Sequence, residues 1–263
     1  MPVTQFVTAP DGVRIAYEIA GPSSGTPIVL VHGFAASRVQ NWRAPGWYEA
    51  LNNAGYRVIA LDCRGHGESD KPHDSKMYGH DTMARDVVAV MDAAGLTQPF
   101  LMGYSMGGFI GMHVLMDHAE RVKKFVIGGV GGSYLQPSAV DDAVADPARR
   151  NMIAEALLAD DKTTITNPTA KAFREFAEQD GKDRLALAAC MRADRKPFTA
   201  AQLSLSARPV LVVCGEHDNL TGRPELLAKA FADGRALMVP KRDHMTTVGD
   251  KVYKEAVLKF LAE

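Results

Sequence analysis

Little in this 263-residue chain is one-sided, and what it lacks removes several classes of function at once. Its 30 basic and 31 acidic residues are mixed along its length, for a formal net charge of −1. No basic stripe offers a footprint for nucleic acid, and no polybasic tail offers one for an anionic membrane. Cysteine is scarce: Cys63, Cys190 and Cys214 are odd in number and widely spaced, so no disulfide framework is expected. Cys63 and Cys214 fall in strand patterns, which predicts buried free thiols, a reducing compartment and a cytoplasmic location. The opening residues, MPVTQFVTAPDG, have neither the basic n-region nor the apolar core of a secretory leader. The uncharged stretch Pro99–Met116 is broken by glycines and His113, which argues against a membrane span. No repeat or low-complexity segment occurs. His73, His80, His113 and His118 have no ligating company, and His217 beside Asp218 belongs to no cluster with metal-ligand spacing. Gly128–Gly132 has the wrong spacing for a dinucleotide. No metal and no cofactor are expected.

What the chain does have is alternation. Gln5–Ala9 and Val13–Ala20 read as an antiparallel pair around the turn Pro10-Asp11-Gly12. Six further runs are short, apolar and β-rich, as fully covered parallel strands should be: Pro27–Val31, Arg57–Asp62, Phe100–Tyr104, Lys124–Gly128, Pro209–Cys214 and Ala236–Val239. Helical patterns fall between them, near Trp47–Ala54, Asp81–Ala94, Met106–His118, Pro224–Ala232 and Val248–Leu261. The expected fold class is therefore α/β, a mostly parallel sheet flanked by helices. From 134 to 206 the alternation stops. Helix-forming runs Ala148–Leu158, Thr169–Glu178 and Asp183–Met191 follow one another, separated by Asn167-Pro168 and Gln179-Asp180-Gly181, with Lys196-Pro197 beyond them. Two units are expected: a core of residues 1–133 and 207–263, and a helical insert of residues 134–206.

One segment carries most of the chemistry. An apolar strand feeds Gly103-Tyr104-Ser105-Met106-Gly107, and an apolar helix follows. That is the strand–turn–helix setting in which G-x-S-x-G forms a nucleophile elbow. The turn is so tight that side chains at Gly103 and Gly107 would strike neighbouring backbone. Ser105 is expected in a strained conformation with its hydroxyl above the sheet edge. A serine nucleophile needs a base, and the base needs an orienting acid. The strand run before Glu216 leads into His217-Asp218, and the next leads into Asp243-His244. Asp218 and His244 thus each follow the C-terminal end of a parallel strand, where sites assemble in open sheets. Asp243 adjoins His244, but sequence neighbours generally point apart, which leaves Asp218 as the orienting acid.

The chain resembles the α/β-hydrolase superfamily over nearly its whole length, apart from the insert. The resemblance rests on VHGF at 31–34, LDCRGHGESD at 61–70, GYSMGG at 103–108, GEHD at 215–218 and RDH at 242–244. Serine at 105 separates it from the dehalogenase and epoxide hydrolase branches, which attack with a carboxylate. Some members take the acid from the strand after the nucleophile helix, but Val126–Gly132 reads VIGGVGG and offers none. The resemblance implies catalytic Ser105, Asp218 and His244, with backbone amides of Phe34 and Met106 as the oxyanion hole. It also implies that the insert is a helical cap over the serine. Met152, Leu157, Phe173, Phe176, Leu187 and Met191 are its candidates for an apolar acyl pocket, though most are expected to hold the cap helices together. His32 is expected to brace the loop after the first parallel strand. The glycines of Arg64–Ser69 are expected to shape a nearby loop, and His113 and His118 to lie on a helix surface.

The implied activity is hydrolysis of a carboxylic ester or lactone on a small, partly apolar molecule. Acyl transfer or perhydrolysis, carbon–carbon cleavage of a ring-fission product, and slow-turnover ligand sensing share every motif quoted and stay open. The implied partner is a small-molecule, ester-like substrate, with no nucleic acid and no membrane.

Overall fold

The chain's first turn is made by Gly12, whose amide donates to Ala9 O, and it folds β1 (Gln5–Thr8) antiparallel onto β2 (Arg14–Ala20). These coordinates are a computed structural model that describes residues 2–136, 146–179 and 181–263; Asp180 of the expected turn lies outside the described residues. Beyond the hairpin come β3 (Thr26–Val31), β4 (Tyr56–Leu61), β5 (Phe100–Tyr104), β6 (Phe125–Gly128), β7 (Val210–Gly215) and β8 (Gly234–Val239). They form one eight-stranded sheet in the order β1-β2-β4-β3-β5-β6-β7-β8. β2 joins β4 antiparallel, and every later pairing is parallel.

That order sets the site's position. The chain steps from β3 to β4 on one side, then crosses back to place β5 on the other side of β3. With right-handed crossovers, connections leave opposite faces at such a reversal and open a crevice at the strands' carboxyl ends. The loops after β3 and β5 both start there.

Strand alternation divides the core between the two faces. Val29, Val31, Leu101 and Ile127 pack with α2 (His80–Ala93) and α3 (Met106–Asp117). Ile28, Leu30, Met102 and Val126 pack with Trp47 and Leu51 of α1 (Trp47–Asn53) and with Tyr253, Val257 and Phe260 near the C-terminus. Strands β3 to β7 are covered on both faces over most of their length, as their predominantly apolar sequences require. The expectation fails at β8, where only Val239 is buried. It is the last strand of the sheet and has a neighbour on the β7 side alone.

Between β6 and β7 lie α4 (Pro147–Leu158), α5 (Pro168–Ala177), α6 (Arg184–Arg192) and the single turn α7 (Ala200–Leu203). Their starts are written locally. Asp146, Asn167 and Asp183 each accept a first-turn amide, and Pro147 and Pro168 occupy a position where no N–H is needed. Ile153, Ala154, Leu157, Ala177, Leu187 and Ala188 form their common core, which packs onto Ala35 and Phe34 of the loop after β3. The chain closes with α8 (Pro224–Ala228), α9 (His244–Thr247) and α10 (Lys251–Ala262). Among the described residues no helix is long and apolar enough to cross a membrane.

Several histidines are buried, and one corrects an expectation. His113 does not lie on a helix surface: it is 4% exposed, with its ring 4.6 Å from Phe198 and 6.1 Å from His80. Helix α3 is apolar nearly all round, so it runs beneath neighbours on every side. Burial holds His32 at about 4 and His66 at about 3, far below the usual 6.5. A ring kept neutral in the fold but free to protonate once unfolded withdraws stability as pH falls below about 6.5. His32 alone accounts for a loss on the order of 3 kcal/mol by pH about 4, at 1.36 kcal/mol per unit. Urea midpoints measured from neutral pH downward should therefore decline through this window. A flat profile would mean that these rings carry a proton in the fold.

Candidate active site

Ser105 stands between β5 and α3 with φ 51° and ψ −115°, a backbone conformation that costs a non-glycine residue about 1–3 kcal/mol. The surroundings force it. A Cβ on Gly103 would lie 2.1 Å from the Gly107 carbonyl oxygen, and one on Gly107 would lie 2.0 Å from that of Val31. Neither position admits a side chain, so strand and helix close to backbone contact and the serine is lifted out between them. Its amide donates to Gly128 O at 2.7 Å, which ties the elbow to β6.

The loops after β7 and β8 are stitched together. His217 N–H donates to Arg242 O, and Lys241 N–H donates to Glu216 Oε2. This brings Asp218 and His244, 26 positions apart, into contact. His244 Nδ1 lies 2.7 Å from Asp218 Oδ2, and Nε2 lies 3.0 Å from Ser105 Oγ. Since a carboxylate only accepts, Nδ1 carries the proton and Nε2 is left to accept from the serine hydroxyl. Asp218 is buried, and its Oδ1 takes the Leu220 amide at 3.0 Å. Asp243 turns away from the imidazole. It caps α9 by accepting from Met245 N and Thr246 N, and hydrogen bonds from Thr246 hold its carboxyl below the usual range. His217 is exposed.

A further contact had no sign in the motif. Tyr104 fills an unspecified place in the pentapeptide, yet its hydroxyl donates to His244 O at 2.5 Å and its ring sits 5.5 Å from the imidazole. The one hint is general: a buried tyrosine needs a partner for its hydroxyl.

The loop after β3 is equally fixed. His32 accepts the Cys63 amide at Nε2, so Nδ1–H donates to Gly33 O at 2.7 Å, the bracing role expected of it. Gly33 N–H donates to Asn41 Oδ1 at 2.7 Å, and Ala35 takes a left-handed φ of 54°. Asn41 belongs to a short π-helix, Val39–Arg43, that the sequence reading did not foresee. The Phe34 and Met106 amides have no hydrogen-bond partner among the described residues. For Met106 this follows from its place at the first position of α3, where no intrahelical acceptor exists. Behind this loop, Arg64 is clamped by Asp86 and Asp11, His66 donates to Arg64 O, and the His66 ring meets Phe34 edge-on at 5.7 Å. The segment at 61–70 thus supports the site from outside it.

Ser105 and His244 face a cavity of about 670 Å³ whose walls include Phe34, Met106, Phe109, Phe173, Phe176 and Met191. Of the apolar candidates in the insert, Phe173, Phe176 and Met191 reach it, whereas Leu157 and Leu187 pack inside the helices' own core. Met152 is half-buried and does not line it. Among the described residues no group of three or more His, Cys, Asp or Glu is placed to hold a metal ion.

Comparison with known proteins identifies the family to which this fold belongs. Residues 26–247 match the model of the α/β hydrolase fold family. A Bacillus subtilis (strain 168) protein, provisionally named a 2-succinyl-6-hydroxy-2,4-cyclohexadiene-1-carboxylate synthase, is 29% identical over 98% of both chains. The dihydrolipoyllysine-residue acetyltransferase component of the acetoin cleaving system of Pseudomonas putida is 31% identical over 87% of this chain. This chain spans 61% of that relative's length. A solved hydrolase from Pseudomonas aeruginosa superposes with a TM-score of 0.81 at 24% identity, over 99% of this chain and 98% of its own. With the family model spanning both loops of the crevice, Ser105, Asp218 and His244, the chain belongs to the α/β hydrolase fold family and is a hydrolytic enzyme.

Proposed function

We propose that the protein hydrolyses carboxylic esters or lactones of small, partly apolar molecules through an acyl-enzyme on Ser105. The observation that carries this reading is the hydrogen-bonded chain Ser105–His244–Asp218, facing a largely apolar cavity. His244 Nε2 takes the Ser105 proton as Oγ attacks the acyl carbon, and Asp218 holds the tautomer and stabilises the imidazolium. The tetrahedral oxyanion is received by the Phe34 and Met106 amides, each worth about 3 kcal/mol when lost. His244 then protonates the leaving alkoxide, and water activated by the same ring releases the acid. The helices of residues 134–206 act as a cap over a core of residues 1–133 and 207–263. They choose the substrate and leave the chemistry to the core. Three buried free thiols support a reducing, cytoplasmic setting.

A turnover panel tests this: p-nitrophenyl esters of graded chain length, lactones, a ring-fission diketone, and peroxide as a competing acceptor. Ester or lactone cleavage should dominate. Faster diketone cleavage would move carbon–carbon chemistry ahead, and preferential peracid formation would favour acyl transfer. Phe173→Ala and Phe176→Ala widen the cavity wall, so the optimum should move to longer acyl chains, at about 1–3 kcal/mol per methylene. The pH profile of turnover should stay in place, because these cap side chains take no part in the proton transfers. A cap substitution that ends all turnover in a folded protein would contradict the division of labour.

A further inference from the structure

Among the described residues, Arg195 in the cavity wall has no ion-pair partner. Arg195 lies in the wall of the cavity that holds Ser105 and also in that of an adjoining cavity of about 200 Å³, lined by His80, His113, Tyr134 and Arg150. Its Nε is buried with no hydrogen-bond partner among the described residues, and its recorded polar contact is Nη2 to the Met191 thioether at 4.0 Å. No carboxylate among the described residues forms an ion pair with it, whereas Arg64 is clamped by two acids and Arg38 by three. Burial and the like charge of Arg150 draw its guanidinium down to about 10. The adjoining wall adds a second unsatisfied group, His80 Nε2, buried and without a partner among the described residues. Taking a cation out of water without a counter-charge is costly, and such groups are ordinarily paired. A guanidinium in a largely apolar cavity offers a planar fork of donors suited to one carboxylate.

We propose that the preferred substrates carry a free carboxylate besides the scissile ester or lactone, and that Arg195 receives it. This rests on the ester-hydrolysis reading of Ser105 and narrows it to acid-bearing substrates, such as monoesters of dicarboxylic acids. Arg195 is then the residue that distinguishes such molecules from neutral esters of equal length.

The test compares p-nitrophenyl monoesters of succinic, glutaric, adipic and pimelic acid with neutral p-nitrophenyl alkanoates of matching length. The wild-type protein should favour at least one acid-bearing member in kcat/KM. Arg195→Met should lower the acid-to-neutral ratio by about 10- to 100-fold, chiefly through KM. Arg195→Lys, which keeps the charge and loses the fork, should fall between. Melting temperature separates this from a structural role: removing a half-buried cation that has no counter-charge among the described residues should leave it equal or higher, whereas removing a strut would lower it. An unchanged ratio in Arg195→Met, with both ester types still cleaved, overturns the proposal and leaves ester hydrolysis standing. If wild-type protein cleaves neither type, the ester reading fails by itself. Calorimetric binding of methyl hydrogen adipate to Ser105→Ala, with and without Arg195→Met, then decides the carboxylate site. Weaker binding without the arginine supports the proposal, and equal or absent binding overturns it.

Discussion

Ser105→Ala should lower turnover of every accepted ester by about 10⁶-fold, and His244→Ala should do comparable damage. The double variant should be little worse than either alone, because the hydroxyl and the imidazole act as one unit and the second loss removes nothing still working. The fold should survive, since Ser105 Oγ has His244 Nε2 as its partner and the serine's backbone bonds to Gly128, Gly108 and Phe109 do not depend on the side chain. Ser105→Gly should be more stable than Ser105→Ala. Glycine relieves part of the roughly 1–3 kcal/mol held at φ 51°, at a smaller entropic cost. Steady-state rates with p-nitrophenyl butyrate and urea midpoints check both statements. Near-normal turnover in Ser105→Ala would place the nucleophile elsewhere.

The candidate site was legible where its logic is local. The elbow shows in sequence because backbone crowding excludes any side chain at Gly103 and Gly107, and no other residue type meets that demand. Asp218 and His244 were legible because strand ends are marked by apolar runs that stop abruptly, and the switch point of the sheet gathers such ends. The capped starts of α4, α5 and α6 were legible for the same reason: an Asp or Asn followed by good helix formers is a short-range statement. What could not be read depends on partners that no local pattern announces. Tyr104 meets the His244 carbonyl across 140 positions, and Asn41 supports Gly33 from a π-helix with no local periodicity to announce it. The strand run at 236–239 reads apolar enough to be covered, yet edge or centre is decided by what lies beyond it. His113 looked like a surface residue because nothing near it in sequence reveals that Phe198 closes over α3. Arg195 is the same case with the greatest functional weight. A lone arginine before Lys196-Pro197 carries no signal until the insert folds and leaves it facing the serine's cavity.

Which acid serves His244 is the sharpest point at which sequence adjacency and geometry part. Asp218→Asn should lower turnover by about 10⁴-fold with little change in shape. The direction follows from the hydrogen bonds. Asp218 Oδ1 takes the Leu220 amide, so the asparagine carbonyl would remain there and its NH₂ would face His244 Nδ1. Nδ1 would then have to accept, the ring proton would move to Nε2, and Nε2 could no longer take the Ser105 proton. Asp243→Asn poses the opposite case. Its carboxylate caps α9, a task asparagine performs about as well, so turnover should change by no more than about threefold. Asp218→Ala separates tautomer from shape: an imidazole released from the wrong partner should recover some activity relative to Asp218→Asn, though far below wild type. Rates for the three variants at a single pH, with protein concentration set by active-site titration, decide the matter. A large loss in Asp243→Asn beside a small one in Asp218→Asn would mean that the contact between Asp218 and His244 is not the one used in catalysis.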